Sequence, residues 1–184
     1  MLNEWKKFAG WKVLEYFLAH SSSEFYIRQL SRLLKTSPRS VQIYCNSYAE
    51  DGLLFVENKA NVRMFWLDNS KPIVRSLKQF NFIRRLEELN FTEQILKSNP
   101  NMLTLAIYGS YASGNYDENS DIDILVVSDK KFDRSQLTKF QQVLGKQIQL
   151  TEVTTAQLFS LKNKKDLFLA SVINNHIILF GGRL

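Results

Sequence analysis

Residues 106–127 read AIYGSYASGNYDENSDIDILVV: an apolar run, Gly-Ser, ten further residues, and then Asp-x-Asp leading into a second apolar run. Gly109 has no Cβ, so an anion can approach its backbone closely. Ser110 adds a hydroxyl donor where the pattern predicts that a helix begins, and the free N–H groups at a helix start attract anions. We therefore predict a phosphate site at Gly109 and Ser110, and we expect the turn at Ser120 to brace Asp121.

Asp121 and Asp123 are two residues apart in a segment that is otherwise aliphatic. Side chains two apart on a strand leave the same face, so both carboxylates point to one side. Neighbouring carboxylates repel each other unless a cation lies between them, and oxygen ligands favour Mg²⁺ or Mn²⁺ over Zn²⁺. The spacing predicts a divalent-cation site; the alternative is a surface turn followed by a strand with two solvated aspartates.

This motif resembles the signature of minimal nucleotidyltransferases of the DNA polymerase beta superfamily, over about residues 101–184. The resemblance implies transfer of a nucleoside monophosphate from a nucleoside triphosphate to a hydroxyl acceptor, with release of pyrophosphate. It implies that Gly109, Ser110 and Ser120 bind the nucleotide and that Asp121 and Asp123 are catalytic metal ligands. The spacing is also similar to that of antitoxin nucleotidyltransferases that AMPylate a partner toxin, so a protein acceptor is one alternative.

The sequence departs from the family pattern at the third carboxylate, which active members usually carry on a later strand. The Ile-x-Leu frame of the matching strand, residues 147–153, puts Gln149 at that position. Glutamine is neutral and cannot act as a base. Glu152 is three residues further on and is expected to point to the opposite face, unless a bulge brings it round. A working enzyme, a slow enzyme and a nucleotide-binding domain without turnover all remain open.

The first part of the chain, about residues 5–68, resembles a winged helix-turn-helix domain. The resemblance rests on FYIRQLSRLL (25–34), TSPRSV (36–41) and EDGLL (50–54). The pattern predicts three helices followed by a hairpin, with 25–34 as the second helix and Pro38 at the start of the third. The resemblance implies that the third helix enters the major groove of double-stranded DNA, while the hairpin wing touches the DNA backbone.

On the third helix, Val41, Cys45 and Tyr48 are expected to face inward, and polar side chains outward. The predicted DNA contacts, which include two cations of the wing, are Arg39, Ser40, Gln42, Asn46, Lys59 and Arg63. Residues 1–68 carry nine Lys/Arg and seven Asp/Glu, a modest net charge of +2 for a DNA-binding domain. A winged helix that serves protein contacts or dimerisation is therefore the alternative.

The chain has 184 residues, 45% of them apolar, and a net charge of +6. We predict an α+β protein with a winged-helix domain at 1–68, a helical linker at 69–100 and a mixed-sheet domain at 101–184. One cysteine excludes an internal disulfide, and we expect no signal peptide, no membrane span and a cytoplasmic location. Two functions remain: a nucleotidyltransferase joined to a DNA-binding domain, or a transcriptional regulator whose second domain senses nucleotide. A homodimer is one expected state of such a regulator.

Overall fold

A computed structural model of the protein describes residues 7–182; residues 1–6 and 183–184, at the outer ends of the predicted domains, lie outside it. The chain forms two compact units, Met1–Asn81 and Phe82–Leu184. The first unit holds a small antiparallel sheet among helices, and the second holds a mixed four-stranded sheet. The predicted α+β class is confirmed. Within residues 7–182, every helix is too short or too polar to cross a membrane.

The first unit has the order of helices and strands that defines a winged helix. Its elements are α1 (Ala9–Ala19), β1 (Phe25–Tyr26), α2 (Ile27–Leu34), α3 (Pro38–Glu50), β2 (Leu54–Lys59) and β3 (Val62–Leu67). The sheet order is β1-β3-β2, so the β2–β3 hairpin forms the wing. The predicted winged helix-turn-helix fold is confirmed.

One predicted boundary in this unit is wrong. Residues 25–34 were expected to form a single helix, but Phe25 and Tyr26 are strand residues that pair with Phe65 and Met64 of β3. Aromatic side chains favour strands, and the buried ring of Phe25 belongs to the core of this unit. The helix therefore begins at Ile27.

Local signals in the sequence account for the third helix and the wing. Ser37 caps α3 by accepting a hydrogen bond from the Ser40 N–H at 3.1 Å, and Pro38 occupies the first turn. The wing turns at Ala60 and Asn61, which both have positive φ angles (46° and 65°). Two successive left-handed residues match the twist of a hairpin.

The segment predicted as a linker, 69–100, consists of two helices, α4 (Pro72–Glu88) and α5 (Phe91–Ser98). Asn90 separates them in a left-handed conformation (φ 49°). Val74 belongs to the core of the first unit, and Phe82 and Phe91 belong to the core of the second. This segment therefore contributes core residues to both units, whereas its Ile73 and Phe80 side chains are exposed.

The second unit is built on a sheet with strand order β6-β5-β4-β7. β5 and β6 are parallel, and the other neighbours are antiparallel. After α5 its elements are β4 (Thr104–Tyr108), α6 (Gly109–Ser113), β5 (Ile122–Val127), α7 (Ser135–Leu144), β6 (Ile148–Val153), α8 (Thr155–Asn163), α9 (Leu167–Asn174) and β7 (His176–Gly181). The aliphatic run of β5 is buried, which anchors the acidic residues at its start.

Candidate functional site

The two aspartates lie at the start of the buried strand β5. Asp121 immediately precedes the strand, and Asp123 is its second residue. Asp123 is paired with Tyr108, the last residue of β4, and with Gln149 near the start of β6. The residues after β4, before β5 and at the start of β6 therefore meet at one end of the sheet.

The Asp123 carboxylate is half-buried and has no hydrogen-bond donor among residues 7–182. Burial raises the pKa of this carboxyl above its usual value, and the nearby charge of Asp121 raises it further. A carboxylate that loses water without gaining a donor is costly in its ionised form. A cation beside Asp121 and Asp123 would remove this cost.

Asp121 is held from the neighbouring strand, because the Gln149 Nε2 group donates a hydrogen bond to Asp121 Oδ2 at 3.0 Å. The pairing of β5 with β6 is regular from Ile122↔Ile148 to Val127↔Val153. Gln149 is thus the side chain of β6 that lies beside the two aspartates. It can hold Asp121 in place, but it adds no negative charge to the site.

Glu152 does not reach the aspartates. In the regular register it is opposite Val126, three residues beyond Gln149 and on the other face of the strand. Its carboxylate accepts a hydrogen bond from Arg134 Nε at 2.9 Å and also pairs with Arg134 Nη2. The bulge that would have turned Glu152 towards the aspartates is absent from this ladder.

Gly109 and Ser110 form the first turn of the five-residue helix α6, directly after β4. Gly109 has a φ of 71°, and Asn175 Nδ2 donates a hydrogen bond of 3.4 Å to its carbonyl. The Ser110 hydroxyl has no hydrogen-bond partner within the part of the chain that the structure describes. It is therefore available to an incoming ligand.

Ser120 stabilises the loop before β5, although through a different aspartate from the one expected. Its hydroxyl bonds with Asp117 Oδ1 (3.0 Å) and accepts from the Asp117 N–H (2.9 Å). The Asn119 N–H also donates to Asp117 Oδ1, and these bonds lower the pKa of that carboxyl. The turn at Ser120, which was expected to brace Asp121, is therefore held by the side chain and backbone of Asp117.

One polar pair on the same face of the sheet was not predicted from the sequence. The Tyr108 hydroxyl lies 2.9 Å from Thr151 Oγ1, across β5, and the Tyr108 ring meets Phe168 of α9 edge to face. Tyr108 stands beside Asp123, so its ring forms part of the floor of the site. Only the strand order brings it to Thr151, 43 residues away along the chain.

The predicted DNA contacts all lie in the first unit and differ in exposure. Arg39 and Gln42 are exposed on α3, and the half-buried Ser40 has its hydroxyl 2.9 Å from that of Ser37. Asn46 was expected to face outward, but it is half-buried, and its Oδ1 accepts no hydrogen bond from the described residues. α3 packs on α1, α2 and β2, so its buried face is wider than the stripe read from the sequence.

The two wing cations are engaged within the unit. Lys59 Nζ lies 2.8 Å and 2.7 Å from the two carboxylate oxygens of Glu24, and 5.4 Å from the centre of the Trp66 ring. The Glu24 carboxylate raises the pKa of Lys59. Arg63 is exposed and stands over the Phe65 ring at 5.3 Å. The charge of Lys59 is therefore largely balanced by Glu24 in this structure.

The donor set at Asp121 and Asp123 fits a hard cation that also binds phosphate. Within residues 7–182, no group of three or more His, Cys, Asp or Glu side chains comes together as a metal site. Mg²⁺ is commonly bound by one or two carboxylates together with substrate phosphates. The two aspartates therefore suit a cation that arrives with a nucleotide, and do not form a closed protein cage.

A family model described as "Polymerase beta, Nucleotidyltransferase" matches residues 90–182, half of the chain. No curated protein matches the chain. Among solved structures, the chain is similar to a toxin-antitoxin with AMP-PNP (24% identity, TM-score 0.39, 51% of this chain and 73% of that one). It is also similar to an MntA-HpeT toxin-antitoxin mutant (22%, 0.39, 51% and 73%) and to Sso10a-2, a DNA-binding protein from Sulfolobus solfataricus (13%, 0.35, 47% and 90%).

Proposed function

The chain belongs to the polymerase beta nucleotidyltransferase family, and on this basis we propose that its second unit binds a nucleoside triphosphate with Mg²⁺ or Mn²⁺ and transfers the nucleoside monophosphate to a hydroxyl acceptor. The observation that carries the proposal is the half-buried Asp123 carboxylate, which lies beside Asp121 and has no donor among the described residues. Such a pair is unfavourable alone and favourable around a cation.

Each residue of the site has a role in this proposal. Gly109 and Ser110 bind the phosphates, while Asp121 and Asp123 hold the cation. When bound, the cation supplies a positive charge that stabilises the phosphoryl group during transfer. Gln149 is a positioning residue, because it holds Asp121 and cannot accept a proton. The acceptor hydroxyl therefore loses its proton to water.

Calorimetric titration with ATP and Mg²⁺ tests the binding step. Asp121→Asn and Asp123→Asn should each weaken MgATP binding by about tenfold or more, because each removes one charged ligand of the cation. Asp129→Asn is the matched control, since Asp129 is an exposed acid of the same unit that bonds to Thr155. Equal MgATP affinity in the wild type and both site variants would refute the proposal.

A nucleotide sensor without turnover is the competing function, and the neutral Gln149 favours it. With Gln149 in place of a carboxylate, the protein lacks the group that family members use for the second metal and the acceptor proton. Pyrophosphate release from ATP and other nucleoside triphosphates, measured with Mg²⁺ and with Mn²⁺, separates the two functions. Tight MgATP binding with no pyrophosphate above the Asp123→Asn background would establish the sensor.

We propose a second function for the first unit, the binding of double-stranded DNA through its winged helix. Residues 25–49 contain no Asp or Glu. The four cations of this segment are exposed at α2, at the turn and at the start of α3: Arg28, Arg32, Lys35 and Arg39. A cationic surface at the helix-turn-helix would attract the DNA backbone. A gel-shift titration at rising salt tests this function, and the absence of a shift at low salt would exclude it.

A link between the two activities would make the protein a regulator. In that case the nucleotide bound by the second unit would change the affinity of the first unit for DNA. The same gel-shift titration with and without MgATP measures this coupling. Equal DNA affinity in both conditions would leave two independent activities on one chain.

A further inference from the structure

The helix α3 exposes an aliphatic side chain, that of Ile43, in the middle of its outward face. Ile43 is 56% exposed, whereas Val41 and Cys45 are fully buried. At about 100° per residue, Ile43 lies roughly 160° around the helix axis from each of these two residues. It therefore points directly away from the core of the first unit, although it was not among the DNA contacts predicted from the sequence.

The exposed residues that surround Ile43 on α3 are polar. Arg39 and Ser47 lie about one turn before it and one turn after it, and Gln42 precedes it directly. The core of a protein–protein interface is largely apolar, so one aliphatic residue among these side chains is a poor match for a protein partner. A surface of this mixed kind suits the edges of base pairs, which combine polar atoms with single methyl groups.

The charges of α3 decide which half of the helix approaches DNA. Arg39 is at its start and Glu50 at its end, and residues 25–49 contain no Asp or Glu. Phosphates therefore attract the start of the helix and repel its end. In helix-turn-helix proteins, the N-terminal residues of the recognition helix contact the base edges. Because Ile43 is in the second turn of α3, its side chain faces base edges in the DNA-binding mode proposed above.

An aliphatic side chain in the major groove discriminates between the bases. Guanine, cytosine and adenine present hydrogen-bond donors and acceptors there, whereas thymine adds a C5-methyl group. Against the polar edges, Ile43 would cover donors and acceptors without satisfying them, which is costly. Against the methyl group, it removes apolar surface from water on both sides of the contact. The exposed isoleucine therefore favours thymine.

Gln42 adds a polar contact that favours the same base pair. Its carboxamide is exposed on α3. A glutamine carboxamide can form two hydrogen bonds with adenine, at N6 and N7. Since Gln42 and Ile43 are consecutive residues, they reach neighbouring positions in the groove. Together the two side chains match A·T pairs, in which one base carries the methyl group and the other carries N6 and N7.

We infer that Ile43 determines the sequence specificity of the first unit by contacting the C5-methyl group of thymine in the major groove. The inference rests on the DNA-binding function proposed for this unit. Arg39 and the cations of α2 supply an attraction to phosphates that does not depend on sequence. Ile43 and Gln42 supply the preference for A·T pairs, because they contact the bases themselves. The ligand is duplex DNA with thymine opposite the second turn of α3.

Replacement of thymine by deoxyuridine tests the methyl contact, because deoxyuridine lacks only the C5-methyl group. The full chain first selects duplexes from a library with a randomised core by repeated gel shifts at low salt. Each thymine of the selected duplex is then replaced in turn. At one thymine or more, the replacement should weaken wild-type binding by about fourfold, the effect of one buried methyl group. The inference is overturned if every replacement leaves the affinity unchanged.

A matched pair of variants assigns the methyl effect to Ile43. Ile43 and Ile73 are both 56% exposed and both belong to the first unit, but Ile73 is on α4. Ile43→Ala should bind the thymine and deoxyuridine duplexes equally, and Ile73→Ala should keep the wild-type difference. A difference that persists in Ile43→Ala would also overturn the inference, because another group or a change in DNA shape would then sense the methyl.

The same measurements separate this inference from the proposed function. If the protein shifts DNA at low salt but enriches no sequence, the DNA-binding function stands and the base preference is wrong. If no duplex is shifted at low salt, the DNA-binding function is itself wrong and the inference falls with it. Sedimentation without DNA should give the same oligomeric state for the wild type and Ile43→Ala. A difference would place Ile43 at an interface between copies and overturn the inference.

Discussion

The Asp123 carboxylate fills the space that a side chain on Gly109 would need. A Cβ built on Gly109 would lie 3.2 Å from Asp123 Cγ and closer still to its Oδ2. Gly109 also has a φ of 71°, a backbone conformation that costs free energy in residues other than glycine. The absence of a side chain at Gly109 therefore leaves room for the Asp123 carboxylate on the neighbouring strand, in addition to the phosphate expected from the sequence.

Gly109→Ala should displace the Asp123 carboxylate and disrupt the cation site. We expect Mn²⁺ affinity, measured by electron paramagnetic resonance, to fall by about tenfold or more, and the free energy of unfolding to fall by roughly 1–3 kcal/mol. Gly145→Ala is the control, because Gly145 also has a positive φ (64°), while its Cβ would have no neighbour within 4 Å. Equal losses of Mn²⁺ affinity in both variants would show that backbone strain, and not the contact with Asp123, sets the site.

Asp123→Asn should stabilise the metal-free protein at neutral pH, by an amount on the order of 1 kcal/mol. Burial and Asp121 raise the pKa of Asp123, so the folded state holds this proton more tightly than the unfolded state does. The cost of the ionised carboxylate is therefore absent below the ordinary pKa and appears as the pH rises through the raised one. Thermal unfolding in a chelator, at acid and neutral pH, measures the difference.

The stability gain should be confined to the site. Asp129→Asn is the comparison, because Asp129 already accepts hydrogen bonds from the N–H and hydroxyl of Thr155 and gains nothing from losing its charge. A variant that stabilises the protein while it removes cation binding would show that the aspartate pair is kept at the expense of stability. No stabilisation by Asp123→Asn at pH 7 would contradict the cause assigned to its raised pKa.

Gln149→Glu should add the third carboxylate that the family pattern contains. Gln149 is paired with Asp123 in the sheet and donates a hydrogen bond to Asp121, so a carboxylate at this position would lie beside both aspartates. We expect lower thermal stability in a chelator, because three acids repel, and higher stability with Mn²⁺ than the wild type shows. Gln147→Glu places the same charge just before β6 and should change both values much less. If both substitutions change the thermal stability equally, the change comes from the added negative charge in general and not from a third carboxylate at the cation site.

The sequence predicted the elements around the site more fully than it predicted the contacts within it. The Asp-x-Asp spacing and the Ile-x-Leu frame depend on alternation along single strands, which is a local property. They placed Asp121, Asp123 and Gln149 correctly relative to their own strands. The contact between Gly109 and Asp123 and the pair of Tyr108 with Thr151 depend on strand order, which no local pattern contains.

The errors in the first unit have the same origin. Phe25 looked like the start of a helix because its pairing partner, Phe65, is 40 positions away along the chain. Asn46 looked exposed because one apolar stripe on α3 does not show that the helix packs against several elements. The pairing of Lys59 with Glu24 was not predicted, because Glu24 is 35 residues away in sequence. Each of these contacts involves residues that only the tertiary fold brings close.

Glu24→Gln should strengthen DNA binding by the first unit. In the structure the Glu24 carboxylate holds Lys59 at the wing tip, so the substitution removes a negative charge and frees the ammonium for a phosphate. One more phosphate contact should increase the salt dependence of the affinity, with a slope steeper by about 0.9 in log–log terms. A gel-shift titration over several salt concentrations measures both the affinity and the slope.

Two further variants separate the release of Lys59 from a general change in charge. Glu50→Gln alters the net charge equally at the exposed end of α3 and should leave the salt slope unchanged. Adding Lys59→Ala to Glu24→Gln should cancel the increase in slope, because the freed cation is then missing. If the double variant keeps the steeper slope, the wing lysine is not the group that reaches the DNA, and binding depends on the cations of α2 and α3 instead.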